Sequence, residues 1–192
     1  MIAIPLVLIT LAIALTPNEP ISIRLVEHGV HVTSIISMID AHSASMAPLA
    51  VASLAGLAGM FVALGSTGAD RRLVLCGFRP REVITARFSV LALVAVITTA
   101  VSMLATALQF RPEQWLPFIL ATLLLAAIYA ALGALVGPIV GRTAGVYLLF
   151  LIPYLDLAMG QSPMLNAAPP LWARFLPGFG PSQIISDAAL TQ

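Results

Sequence analysis

The sequence contains no lysine, and all nine of its basic residues are arginine. A Walker A loop needs a lysine to contact the nucleotide phosphates, and a Schiff-base enzyme needs one to form its imine. Any use of ATP must therefore take place on another polypeptide. A single cysteine, Cys76, excludes an intrachain disulfide and a CxxC redox or zinc site.

Charge is also scarce. Charged residues make up 9% of the 192 residues, against about 25% in soluble domains. Hydrophobic residues make up 60%, and the mean hydropathy is +1.03. This composition predicts an integral membrane protein. The net charge of +1 gives no basic excess that would indicate nucleic acid as a partner. Because the first apolar run has no positively charged leader and no small-residue cleavage site, we do not expect a signal peptide.

Long apolar runs predict a single all-α, polytopic membrane domain over residues 1–192. A crossing helix needs about 20 apolar residues. Five spans are predicted, at 2–15, 47–65, 88–108, 116–140 and 144–159. The first would be only about 21 Å long at 1.5 Å per residue. It is interpreted as a transmembrane helix without its cytoplasmic half, the alternative being a short interfacial helix.

A more polar segment follows the first span and holds all three histidines. Ile21 to Leu25 alternates as in a strand, whereas Val32 to Ile39 fits a helix better. His28 and His31 are three residues apart and could share a helical face with a metal. Since His42 is distant and the pair has no fixed carboxylate partner, we expect a solvated surface pair and no metal site.

Five of the nine arginines fall within residues 66–87, between the second and third spans. The positive-inside rule places this loop in the cytoplasm and the tail, 160–192, outside. The tail is rich in proline and aromatic residues, which predicts short helices and turns at headgroup depth. A helix is also predicted to begin near Ile184.

The same loop contains residues of the types that begin and end helices. Asp70 is predicted to cap a short helix over Arg71–Cys76, which Gly77 then ends. Pro80 and Glu82 suit the first turn of the next helix. The alternative is an ordinary anchor loop that is held at the membrane surface by its positive charge.

The stretch DRRLVLCGFRPREVITAR, in this position between two spans, resembles the coupling-helix region of ABC-2 type transporter permeases. The positions that carry the resemblance are Asp70, Arg71, Arg72, Leu73, Leu75, Gly77, Arg79, Pro80, Arg81 and Arg87. The resemblance covers about residues 47–190. Such permeases have six spans, with short external helices between the fifth and the sixth. The short first span and the missing sixth predict a chain truncated at both ends.

The resemblance implies a transport subunit rather than an enzyme. It would sit in the cell membrane, pair with a second permease subunit in a homodimer or heterodimer, and bind an ATPase subunit through the stretch above. It would need no cofactor and would export a drug, lipid or glycan. A non-transporting scaffold or a degenerate permease fragment stays open. An intramembrane enzyme is disfavoured because the sequence has neither HExxH nor a nucleophile-elbow serine motif.

Three further features of the sequence have a possible functional or structural role. Asp156, near the outer end of the fifth span, either lines a substrate path or lies at the water boundary. Gly133, Gly137 and Gly141 repeat every four residues and predict a helix-packing face, which could be a dimer seam. Cys76 is expected to be packed among its apolar neighbours rather than reactive.

Overall fold

The computed structural model describes residues 15–17, 19–27, 30–109, 112–161 and 170–190. Nearly all of the predicted first span, 2–15, therefore lies outside the described residues, as does His28. The described part of the chain is mostly helical, as predicted. In it, four helices are long and apolar enough to cross a membrane.

An antiparallel hairpin precedes these helices. Strand β1, Pro20–Glu27, pairs with β2, Val30–Ser37, in a register that runs from Pro20↔Ser37 to Glu27↔Val30. The helix predicted from Val32 to Ile39 is therefore wrong as far as Ser37, and the all-α prediction does not hold for this hairpin. Valine, isoleucine and threonine dominate β2, and such β-branched side chains pack well on a pleated surface.

Two long helices come next, joined by a turn at 76–79. Helix α1 is Met38–Leu75 and helix α2 is Pro80–Gln109. The predicted separate helix capped by Asp70 is wrong, because α1 continues without a break through Asp70 to Leu75. The physical reason is that no proline lies between Pro48 and Pro80, and an isolated glycine costs a helix only about 1 kcal/mol.

A second pair of helices completes the candidate spans. Helix α3, Trp115–Val140, ends at Gly141, and helix α4 is Arg142–Pro153. The chain then continues as a π-helical turn, Tyr154–Gly160. Pro153 is the last residue of α4, and the chain passes from it directly into the wider π-helical turn. Single π-helical turns of this kind occur frequently at functional sites.

The core is centred on the close contact between α1 and α3. A Cβ atom added at Gly59 would overlap the Ala130 carbonyl, and one added at Gly133 would overlap the Gly56 carbonyl. One added at Gly137 would lie 2.6 Å from Cγ of Met60. Small residues thus let the two backbones meet, as is common between helices in membranes.

The tail folds back onto this bundle. It contains a 3₁₀ turn, Leu171–Phe175, and helix α5, Phe179–Leu190, which begins earlier than the predicted start near Ile184. At the far end of α5, the Gln114 N–H donates to the Ala188 carbonyl over 2.9 Å. This contact joins α5 to the start of α3.

Candidate functional site

The end of α1, the turn and the start of α2 form a projection, residues 65–90, which we call the arm. In the described structure, Leu64 is the last residue of α1 to pack on the core clusters, and Leu91 is the first of α2. α3 ends soon after Gly137, which contacts Met60 of α1. α1 continues beyond Leu64 for about 16 Å at 1.5 Å per residue. The arm therefore extends past the end of the bundle.

The turn of the arm is closed by backbone hydrogen bonds. The Phe78 N–H donates to the Leu73 carbonyl over 3.1 Å, and the Gly77 N–H donates to Val74 over 3.1 Å. Gly77 has a φ of 94°, in the left-handed region that favours glycine. This is the Schellman arrangement. Glycine therefore ends the helix where it was expected to, although the helix is α1.

The next helix begins with a backbone contact of its own. The Arg79 N–H donates to the Glu82 carboxylate over 3.2 Å, so Glu82 satisfies a donor at the start of α2. This is half of a capping box. The two helices of the arm are consequently joined by a defined turn of four residues.

An ion pair between Asp70 and Arg87 braces the arm. These residues stand at the two ends of the charged stretch, and their pairing joins α1 to α2. Asp70 is 22% exposed and Arg87 36%, so the pair is partly shielded from water. Asp70 therefore cross-links two helices and does not cap one.

The outer surface of the arm combines arginine with exposed apolar side chains. Leu75 is 80% exposed and Phe78 is 52% exposed. The other exposed residues of the tip, residues 72–82, include Leu73, Val74, Cys76, Gly77, the arginines Arg72, Arg79 and Arg81, and one acidic residue, Glu82. Of Arg71 the structure describes only the backbone. The expectation that Cys76 is packed is wrong, because it lies at the tip, where no other described element reaches it.

The three predicted packing glycines do not form one face. Gly133 and Gly137 contact α1 of the same chain, so they pack internally rather than against a second copy. Gly141 lies after the end of α3 with a φ of 83°, and open space surrounds the position of its missing side chain. Its role is to allow the sharp change of direction between α3 and α4.

Asp156 lies in the π-helical turn and is buried, with 1% of its surface exposed, rather than at a water boundary. Its Oδ2 accepts a hydrogen bond from the Tyr129 hydroxyl over 2.5 Å and another from the Gly178 N–H over 2.8 Å. Its Oδ1 accepts one from the Gln161 amide. The Ser182 hydroxyl in turn donates to the Gln161 amide oxygen.

Sequence reasoning missed the partners of this carboxylate. Tyr129 comes from α3, and Gln161 follows the π-helical turn. Gly178 directly precedes α5, and Ser182 lies in the first turn of α5. A tyrosine in the middle of an apolar span was the one available signal, since a buried tyrosine hydroxyl usually finds a partner. We call Tyr129, Asp156, Gln161, Gly178 and Ser182 the buried polar cluster.

A small cleft adjoins the buried polar cluster, between α1, the π-helical turn and α5. Its volume is about 30 Å³, and its polar lining comes from Ser45, Gln161, Ser182 and Ser186. This is enough room for one water molecule but not for a substrate. The cleft borders Gln161 and Ser182 of the cluster, whereas Asp156 does not line it.

No group of three histidine, cysteine, aspartate or glutamate residues that could hold a metal ion lies in the described part of the chain. The chain matches no protein-family model, and comparison with curated proteins and with solved structures gave no significant match. The arm and the buried polar cluster are the two candidate functional features of the described residues.

Proposed function

We propose that the chain is the membrane permease subunit of an ATP-binding-cassette exporter and that the arm is the docking surface for its ATPase subunit. The observation that carries this proposal is the projection of the arm beyond the end of α3. α3 alone is about 39 Å long, which exceeds a hydrocarbon core of about 30 Å. A segment that extends past its end would stand in the aqueous phase.

The exposed apolar side chains of the arm support the proposal that it binds another protein. Leu73, Leu75 and Phe78 would be solvated in water, and contiguous exposed apolar side chains mark interaction surfaces. Arg72, Arg79 and Arg81 are exposed on the same segment, and their charge outweighs that of Glu82, which favours a partner with an acidic rim. An apolar centre with a charged rim is the usual anatomy of a protein interface.

The bracing of the arm suits the transmission of movement. The ion pair between Asp70 and Arg87, together with the closed turn at Gly77, fixes the two helices to each other. A displacement imposed at the tip would pass along α1 into its seam with α3. The excess of arginine in this region supports a cytoplasmic position for the arm, where ATP is available, and the lack of lysine is consistent with hydrolysis on a partner chain.

Affinity purification of the tagged chain from its native membranes tests this proposal. We expect a partner that hydrolyses ATP and is photolabelled by an azido-ATP analogue. Arg72→Glu combined with Phe78→Asp should abolish its association. The matched control is Arg174→Glu combined with Phe175→Asp, which makes the same changes at exposed residues outside the arm.

Two results would contradict the proposal. One is retention of the ATPase by the arm variant at the level of the control. The other is a partner that binds the arm but neither hydrolyses ATP nor takes up the label, which would support the non-transporting scaffold.

A further inference from the structure

We propose that the 3₁₀ turn, Leu171–Phe175, is a lipid-binding anchor in the leaflet opposite the arm, with Arg174 paired to the phosphate of a phospholipid. The inference goes beyond the docking function and does not depend on which partner binds the arm. It rests on the exposed side chains of the 3₁₀ turn and on its contact with the end of a candidate span.

The 3₁₀ turn is attached to the protein by its middle residue. Ala173 is 0% exposed, whereas the side chains on either side of it point outwards. Leu171 is 74% exposed, Trp172 is 55% exposed and Phe175 is 91% exposed. Arg174 is exposed as well. Three large apolar side chains and one cation therefore face away from the protein.

The spacing of these side chains suits a boundary between apolar and polar surroundings. Residues three apart eclipse each other in a 3₁₀ helix. Trp172 and Phe175 therefore share one edge of the turn, and Leu171 and Arg174 share another. An arginine in this setting buries its apolar stem and carries its guanidinium group towards the headgroups. Tryptophan is enriched at the same depth.

The 3₁₀ turn lies where a candidate span ends. The span Arg142–Gly160 has 19 residues, close to the roughly 20 that a crossing needs. A Cβ atom added at Gly160 would lie 3.2 Å from Cη2 of Trp172. Because this span begins beside the end of α3, its own end lies towards the start of α3, away from the arm. The turn consequently meets the membrane boundary opposite the arm.

A phospholipid supplies the charge that Arg174 lacks. Among the described residues the ion pair is that of Asp70 with Arg87, and no acidic side chain pairs with Arg174. A phosphate group offers a guanidinium two oxygens in the geometry of paired hydrogen bonds. Since lipid phosphates lie at the depth of the turn, we assign this surface to lipid rather than to a second protein chain.

The fluorescence of Trp172 measures the depth of the turn, because the chain has one other tryptophan, Trp115. The full chain with Trp115→Phe is placed in phosphatidylcholine nanodiscs that contain a lipid nitroxide, either on the headgroup or at the end of an acyl chain. We expect the headgroup nitroxide to quench Trp172 more strongly than the acyl-end nitroxide and more strongly than iodide in the water.

Charge reversal tests the contact of Arg174 with lipid. Arg174→Glu should lose most of the quenching by the headgroup nitroxide, because phosphate repels a carboxylate. Arg81→Glu makes the same reversal at an exposed residue of the arm and should keep that quenching.

Nanodiscs of a galactolipid, which has no phosphate, test the group that Arg174 binds. With the nitroxide lipid as a trace component, Arg174→Gln should reduce the quenching in phosphatidylcholine and leave it unchanged in the galactolipid. An equal loss in both lipids would overturn the assignment to phosphate.

The depth measurement leaves Arg174 unchanged, so it stands even if the Arg174 variants do not fold. Strongest quenching by iodide would place the turn in water, and strongest quenching by the acyl-end nitroxide would place it in the hydrocarbon core. Protection from all three quenchers would show that a second copy or another protein covers the turn. Each of these results overturns the proposal, as does parental headgroup quenching in Arg174→Glu.

Discussion

At the scale of single residues, the buried polar cluster concentrates the unusual chemistry of the chain. Asp156 is 1% exposed and is satisfied entirely by donors from other parts of the fold. Hydrogen bonds to a buried charge are stronger than those between neutral groups. The stability of the bundle should therefore depend on these donors more than on similar side chains elsewhere.

Tyr129→Phe tests this dependence directly. Removing the hydroxyl should lower the free energy of unfolding by about 1.5–3 kcal/mol, the range for a hydrogen bond to a charged group. Tyr147→Phe, at a side chain that is 74% exposed, is the matched control and should change it by less than about 0.5 kcal/mol. Denaturant titration in detergent measures both. Equal effects of the two substitutions would show that the hydroxyl of Tyr129 contributes nothing specific.

His42 should make stability sensitive to pH. Burial lowers its pKa below the ordinary value of about 6.5. The unfolded chain then binds more protons than the folded chain below about pH 6.5, so the stability falls as the pH drops through that value. Above about pH 6.5, the contribution of His42 to the stability does not change with pH. The thermal midpoint in detergent should show this fall in the parent and a smaller one in His42→Gln. An identical pH profile in the two proteins would contradict the prediction.

At the scale of elements, the seam between α1 and α3 and the arm follow from different features of the sequence. The seam depends on glycines at which no Cβ can be placed. Hydropathy indicated where the helices would lie, but which glycines meet a backbone depends on how helices distant in the sequence pack. The glycine repeat was therefore visible, whereas the exclusion of Gly141 from the packing face was not.

Two glycines of α1 and α3 offer a matched comparison. Gly133→Ala should destabilise the bundle by about 1–3 kcal/mol, as overpacking does, because its Cβ would overlap the backbone of Gly56. Gly68→Ala should stabilise α1 by about 0.5–1 kcal/mol, because nothing lies within 4 Å of its Cβ and alanine favours a helix. Denaturation of the two variants in detergent measures whether the free energy of unfolding falls or rises in each. A neutral Gly133→Ala would contradict the close approach of the two helices.

The arm shows where local sequence signals succeed and where they fail. Gly77 can adopt the left-handed conformation that ends a helix, and the ring of Pro80 fixes a φ that suits a first helical turn, so the turn between the two helices was predictable. Asp70 has the chemistry of a helix cap, but it lies within the last two turns of α1, where its ion pair with Arg87 satisfies it. Likewise, β-strand pairing overrides the helical pattern after Val32, because the partner strand decides the conformation.

At the scale of the whole molecule, the two candidate sites lie in different parts of the bundle. The arm extends beyond the end of α3, whereas α5 returns to the start of α3 at Gln114. α1 and α3 connect these regions through their glycine seam. A partner bound at the arm would therefore act on the same rigid pair of helices that supports Tyr129 and the contact with α5.

The accessibility of Cys76 tests the central claim, that the arm is a cytoplasmic docking surface, most directly. Cys76 is the only cysteine of the chain, and it is exposed at the tip of the arm. A membrane-impermeant maleimide should leave it unmodified in intact cells and label it in inside-out vesicles. Trp172→Cys in a Cys76→Ser background, an exposed position in the tail, should show the opposite pattern. Labelling of Cys76 from outside intact cells would place the arm on the wrong side of the membrane for an ATPase and contradict the proposed function.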